Sequence, residues 1–318
     1  MRRNQRVRFA SEILIFTILL IYFQFLRPNP VCEDPIDWNQ YAYVQYVTNS
    51  DYLCNAVMIF ETLHTLGSKA DRLMLVPAQF GAQKSWMLDL MLKARNDYDV
   101  RLKLMEIQTK GGDGTWAQSF TKLLAFNQTQ YKRVLSLDSD ATLLKHMDEL
   151  FTLPSTPVAM PRAYWLTEPI PNQLTSSVLL IEPSHREFTR VENAVSQAAE
   201  RDFDMEILNQ LYNKTAMVLP HRPYFLVTGE FRNNDSMGHT AYLGDSEEAW
   251  DGKRVRREAK YAHFSDWPMP KPWISPPKEF VADQQPECGL DGKGEGDCTT
   301  RDVWLELYKD FAARRKVC

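Results

Sequence analysis

Strand-like and helix-like hydrophobic patterns alternate along the chain. Residues 41–48 (YAYVQYVT) are rich in β-formers and stop at Asn49-Ser50-Asp51, a triplet that starts helices. Residues 52–66 carry apolar side chains at helical spacing and are closed by Gly67. A strand over 73–76 ends at Pro77, and a helix near 84–94 and a strand near 100–107 repeat the alternation. Segment 119–132 reads as a helix bearing Lys122. It leads into the apolar run Val134, Leu135, Leu137, which ends in Asp138 and Asp140 before turning apolar again. Residues 154–171 hold five prolines and are extended or looped. Later come a buried strand over 177–182, helices over 187–200 and 204–212, and a short strand over 260–264. A last helix, 301–314, puts Trp304, Leu307, Tyr308 and Phe311 on one packing face. The pattern predicts an α/β fold, a mostly parallel central sheet with helices on both faces.

A buried strand ending in polar residues opens at its C-terminal end into a cleft, where α/β sheets collect ligands. Asp138 and Asp140 sit at that rim. Carboxylates so close repel unless a cation lies between them, and hard oxygen ligands suit Mg²⁺, Mn²⁺ or Ca²⁺. An ion held there keeps open positions that a diphosphate can fill. The competing reading is a turn or helix cap, since Asp and Ser favour such places.

At 318 residues, 44% hydrophobic and 12% aromatic, the chain can bury a full core as one large domain. Its net charge of -4 hides an asymmetry. The first twelve residues carry +3 (Arg2, Arg3, Arg6 and Arg8 against Glu12), so the remainder is -7. An acidic body argues against nucleic acid as a partner. Residues 13–26 (ILIFTILLIYFQFL) are almost wholly apolar, and no small-x-small cleavage site follows them. They read as an uncleaved signal anchor, with the arginines cytosolic and the body luminal; a cleaved signal is the alternative. The boundaries expected are a cytoplasmic tail 1–8, a transmembrane helix 9–26, a stem 27–38 and a luminal domain 39–318. Asn127, Asn213 and Asn234 open N-glycosylation triplets. Cys288 and Cys298 flank a Gly-rich loop that an oxidising lumen would let them close. Cys54, among apolar neighbours, reads as a buried free thiol, and Cys32 and Cys318 either pair or stay free.

No G-x-G-x-x-G follows the first strand, which counts against a dinucleotide-dependent dehydrogenase. Residues 110–114 (KGGDG) lack the spacing of a phosphate-binding P-loop.

Several weak motifs recur in one order: Val47-Thr48-Asn49 with Tyr52, Thr121-Lys122-Leu123, Leu137-Asp138-Ser139-Asp140, His263-Phe264 and Lys271-Pro272-Trp273. In that order the chain resembles the glycogenin-like family 8 retaining glycosyltransferases from about residue 41 to 273. YLCNAVMIFETL and HFSDWPMPKPW look more narrowly like a fungal Golgi branch similar to N-acetylglucosaminyltransferases that act on mannose-rich glycans. The resemblance implies a single nucleotide-diphospho-sugar transferase (GT-A-like) domain and a UDP-sugar donor. It implies that Thr48, Asn49 and Tyr52 cradle the uracil, Lys122 and Ser139 line the donor site, and Asp138, Asp140 and His263 ligate Mn²⁺. Lys271 would hold the β-phosphate, and Asp204 would stand near the donor sugar. The acceptor would be a glycan or glycoprotein, and the location the Golgi membrane, with the endoplasmic reticulum or secretion as alternatives. Residues 233–260, polar with three glycines, read as a mobile or acceptor-shaping insertion.

Three departures limit the transfer. This chain has two residues more than glycogenin between histidine and lysine, reads Thr175-Ser176-Ser177 where glycogenin has Asn-Ser-Gly before a strand, and has Met205 in place of a glutamine after the acid. Two rival readings remain: a non-catalytic luminal protein with a nucleotide-sugar-binding fold, and a metal-dependent phosphohydrolase. The second is disfavoured, since it usually shows more than two acids in the motif.

Overall fold

The computed structural model describes residues 35–82, 85–109, 118–166, 172–233, 239–290 and 296–318. Trp38–Cys318 forms one compact unit. The expected anchor, residues 9–26, and the KGGDG loop lie outside the described residues, as do Cys32 and Asn234. Among the described residues no helix is long and apolar enough to cross a membrane.

A seven-stranded sheet organises the unit. Its strands are β1 (Tyr41–Tyr46), β2 (Asp71–Pro77), β3 (Val100–Met105), β4 (Arg133–Leu137), β6 (Val158–Pro161), β7 (Val178–Ile181) and β8 (Met217–Leu219); β5 (Ala141–Leu143) belongs to a second sheet. The order is β3-β2-β1-β4-β7-β6-β8. Strands β3, β2, β1 and β4 run parallel, β7 is antiparallel to both β4 and β6, and β6 and β8 are again parallel. The sheet is therefore mostly parallel, with the direction reversed at β7.

Burial on both faces explains why β1 reads YAYVQY rather than alternating with polar residues. Tyr43 and Met74 look into one core with helix α1 (Ser50–Thr65) and helix α2 (Ser85–Tyr98); Val44 and Leu73 look into the other, with Phe120, Phe126 and Leu208. Asn49 starts α1 as the triplet predicts, its Oδ1 accepting from the amides of Asp51 at 2.9 Å and Tyr52 at 3.1 Å. Gly67 follows the helix with φ +70, where a Cβ would be strained. Helices α3 (His185–Gln197) and α4 (Asp204–Tyr212) match the predicted pair, but Lys122 lies in a 3₁₀ segment, Ser119–Asn127.

The second sheet has β10 (Tyr261–His263) between β5 and β9 (Leu226–Val227). Its register sets His263 opposite Ala141, one residue past Asp140, and the Phe264 amide donates to the Asp140 carbonyl at 2.9 Å.

Three expectations change. The segment expected to be a mobile insertion contains helix α5 (Gly252–Glu258), with Tyr242, Val255 and Ala259 buried. Those apolar residues fall among charges, which hides them from a composition-based reading. Cys54 is not a free thiol: it pairs with Cys318, and the Cys318 pairing with Cys32 is excluded by that bond. Long-range packing decides this, because Arg314 and Arg315 at the end of helix α6 (Thr299–Arg314) and just beyond it grip α1 through Thr62, Asp51 and Asn55, seating the tail beside Cys54. Cys288 pairs with Cys298 as expected. Trp304, Leu307 and Phe311 of α6 are buried in the first core.

Candidate active site

The parallel strands leave β1 in two directions, with β2 on one side and β4 on the other, so a crevice opens beyond their C-terminal ends. Thr48, Asn49 and Tyr52 follow β1, and Asp138, Ser139 and Asp140 follow β4. Both groups from the sequence therefore border one crevice.

The three donor groups Asp138, Asp140 and His263 offer ligand atoms that all lie within 4.8 Å of one another. His263 Nε2 is 3.1 Å from Asp140 Oδ1 and 3.9 Å from Asp138 Oδ2. Lys271 is ion-paired with Asp140 Oδ2. Burial alone would push the Asp140 carboxyl up, but His263 and Lys271 hold it well below the usual carboxylate range.

Lys122 forms the floor. Its Nζ lies 2.7 Å from Asp138 Oδ1 and 2.7 Å from Asp204 Oδ2, and it also donates to Ser176 Oγ at 3.3 Å. Burial would lower the Lys122 ammonium, yet the two carboxylates raise it above its ordinary value; Asp204 is in turn held low against its own burial by Lys122. Three carboxylates (Asp138, Asp140, Asp204), two ammoniums (Lys122, Lys271) and the imidazole of His263 thus share one cluster.

Hard oxygen donors with one imidazole suit Mn²⁺ or Mg²⁺. One further observation fits an ion with a ligand. Ser139 Oγ, between the aspartates in sequence, is buried with no partner among the described residues, as an atom reserved for a ligand would be; His263 turns Nε2 to the aspartates, while its Nδ1 is buried and likewise unpartnered among the described residues.

Tyr52 packs edge-on against Trp273, ring centroids 5.5 Å apart, which joins the end of β1 to the Lys271-Pro272-Trp273 segment. Burial, with Asp140 and Asp138 nearby, raises the Tyr52 phenol. The Asn49 Oδ1 is committed to capping α1, leaving its NH₂ for any ligand. Sequence reasoning missed three supports of Asp138. The Tyr261 hydroxyl donates to its carbonyl at 2.7 Å, the Asp138 amide donates to Ser177 O at 3.1 Å, and the Tyr46 hydroxyl stands 3.5 Å from Oδ1. Tyr46 and Tyr261 read only as strand residues; their place at strand ends beside the acidic motif is the signal that could have found them.

The fold is that of the GT-A-like glycosyltransferases. The structure superposes on the galactosyltransferase LgtC, determined with donor and acceptor sugar analogs, at TM-score 0.54 over 85% of this chain and 95% of that one, with 12% identity. No protein-family profile matches the chain. It is 52% identical over 89% of its length to glucose N-acetyltransferase 1 of Gibberella zeae, and 41% identical over its whole length to that of Aspergillus fumigatus. It spans 63% of the first relative's length and 88% of the second's. The chain belongs to the glucose N-acetyltransferase 1 family, a glycogenin-like branch of the family 8 glycosyltransferases.

Proposed function

We propose that this chain transfers a sugar, N-acetylglucosamine, from a UDP-sugar to a glycan acceptor, with retention of anomeric configuration and with a divalent cation. The observation that carries the reading is the convergence of Asp138, Asp140 and His263 beside Lys271 at the mouth of the sheet. The relatives are named glucose N-acetyltransferase 1, words that couple glucose with an N-acetyl group, the two parts combined in N-acetylglucosamine.

Asp138, Asp140 and His263 would hold Mn²⁺, which supplies Lewis-acid neutralisation of the diphosphate. Lys271, part-exposed and ion-paired with Asp140, would exchange that carboxylate for the β-phosphate of departing UDP, stabilising charge that grows in the transition state. Thr48, Asn49 and Tyr52 would take the uracil, with Ser139 facing the ribose-diphosphate. Lys122 holds Asp138 and Asp204 in register, so that Asp204 faces the donor sugar. No side-chain nucleophile is assigned; the acceptor hydroxyl attacks from the face the phosphate leaves.

The N-terminal residues extend the proposal: a cytoplasmic tail 1–8, a signal anchor 9–26 and a stem 27–38 carry a luminal domain 39–318 in the Golgi membrane. The two disulfides suit an oxidising lumen.

The test is a panel of UDP-sugars with Mn²⁺, scored by UDP release with and without mannose-rich glycans. Acceptor-stimulated release from UDP-N-acetylglucosamine is expected. Tight UDP-sugar binding with no release would assign a binding protein, and a preference for UDP-glucose would overturn the donor.

A further inference from the structure

Two neighbouring side chains between His263 and Lys271 are placed in opposite ways. Asp266 turns inward, its side chain 2% exposed. Its carboxylate accepts from Arg232 Nη1 at 2.6 Å, Trp304 Nε1 at 2.7 Å and the Tyr308 hydroxyl at 3.1 Å. The main chain is held as well. Arg232 donates to the Trp267 carbonyl at 3.2 Å, and the Gly229 amide donates to Ser265 O at 3.2 Å, an approach so close that a Cβ on Gly229 would sit 2.9 Å from that oxygen.

On this fixed backbone the Trp267 indole is 90% exposed, the most exposed large apolar side chain among the described residues. It stands four residues from His263 and four from Lys271, in the segment that joins these two residues of the candidate site. Exposure of a single ring is ordinary by itself; what singles out Trp267 is that the segment carrying it is anchored by a buried ion pair and runs between His263 and Lys271, so the ring is presented from a fixed main chain, as the aromatic anchors of binding surfaces are.

We propose that Trp267 is a stacking platform for a pyranose ring of the acceptor glycan; this rests on the glycosyltransferase reading of the same crevice. One face of a pyranose presents C–H groups, weakly positive and apolar, while its hydroxyls spread around the edge. The indole face is negative and apolar, so the two surfaces match in charge and polarity. With its main chain already fixed and only two side-chain torsions to order, the indole gives contact at low entropic cost. The donor diphosphate has no use for such a surface, which separates this role from those of His263 and Lys271.

The experiment compares the intact chain with Trp267→Ala and Trp267→Phe, using UDP-N-acetylglucosamine, Mn²⁺ and a mannose-rich oligosaccharide. Trp267→Ala should raise the oligosaccharide KM roughly ten-fold, with Trp267→Phe recovering most of it, while the KM for the UDP-sugar stays within about two-fold. Calorimetric binding of the same oligosaccharide, with UDP and Mn²⁺ present, reads the platform even without turnover. Equal oligosaccharide binding or KM in Trp267→Ala, a loss confined to the donor, or no oligosaccharide binding by the intact chain would overturn the assignment. Absence of UDP release with Trp267-dependent oligosaccharide binding would instead remove the catalytic reading and keep the platform.

Discussion

The ammonium of Lys122 lies 2.7 Å from Asp204 Oδ2, although 82 residues separate them, and the same atom lies 2.7 Å from Asp138 Oδ1. All three groups are deeply buried or nearly so, so none can turn to water if a partner is lost. Lys122→Met leaves two acids uncompensated and should lower the unfolding free energy by about 3–5 kcal/mol. Urea denaturation reads this. Adding Asp204→Asn to that variant should return part of the loss; a strictly additive double variant would show that the two residues are not coupled.

Lys271 differs, because it is part-exposed and its carboxylate partner keeps His263. Its removal should leave stability nearly unchanged while turnover of the UDP-sugar falls by about 10²–10³, the usual effect of losing one transition-state contact. Steady-state kinetics beside a thermal melt separates the two, and a matched fall in both would make Lys271 structural.

The Cys54–Cys318 bond closes a separation of 264 residues. The chain-entropy account gives such a loop up to about 5 kcal/mol. Cys318→Ser should therefore lower the denaturation midpoint, and reductant should no longer shift that variant through this bond.

His221 Nε2 lies 2.6 Å from the Tyr242 carbonyl, and burial lowers its pKa below the ordinary value of 6.5, against the opposing pull of that carbonyl. The unfolded chain takes up the proton at higher pH than the folded one. The His221 contribution is thus complete above the unfolded pKa and is lost as pH falls toward the folded one. Between pH 7.5 and 5.5 the intact chain should lose more stability than His221→Gln, read by urea denaturation at each pH. Parallel losses would contradict this.

Most strands and helices before Asp138 were legible because their apolar runs are set off by stop signals, as Asn49 and Gly67 show for α1; the 3₁₀ form of the segment bearing Lys122 was not. The strand over 177–182 was legible too, but its antiparallel direction was not, since a four-residue apolar run such as Val178–Ile181 carries no sign of its direction. At the site, Asp138, Ser139 and Asp140 stand together in sequence, but His263 reaches them only through the pairing of β10 with β5. The disulfide partner of Cys54 and the inward turn of Asp266 likewise depend on where α6 docks, and no local pattern encodes that.

Mn²⁺ titrated into the intact chain with UDP present, followed by calorimetry or by the loss of the free-ion spin resonance signal, tests the cation site without relying on turnover. One ion per chain is expected, and Asp140→Asn should weaken it by at least about ten-fold, by analogy with lesser changes around metal ligands. Unchanged Mn²⁺ affinity in Asp138→Asn, Asp140→Asn and His263→Gln alike would contradict the account.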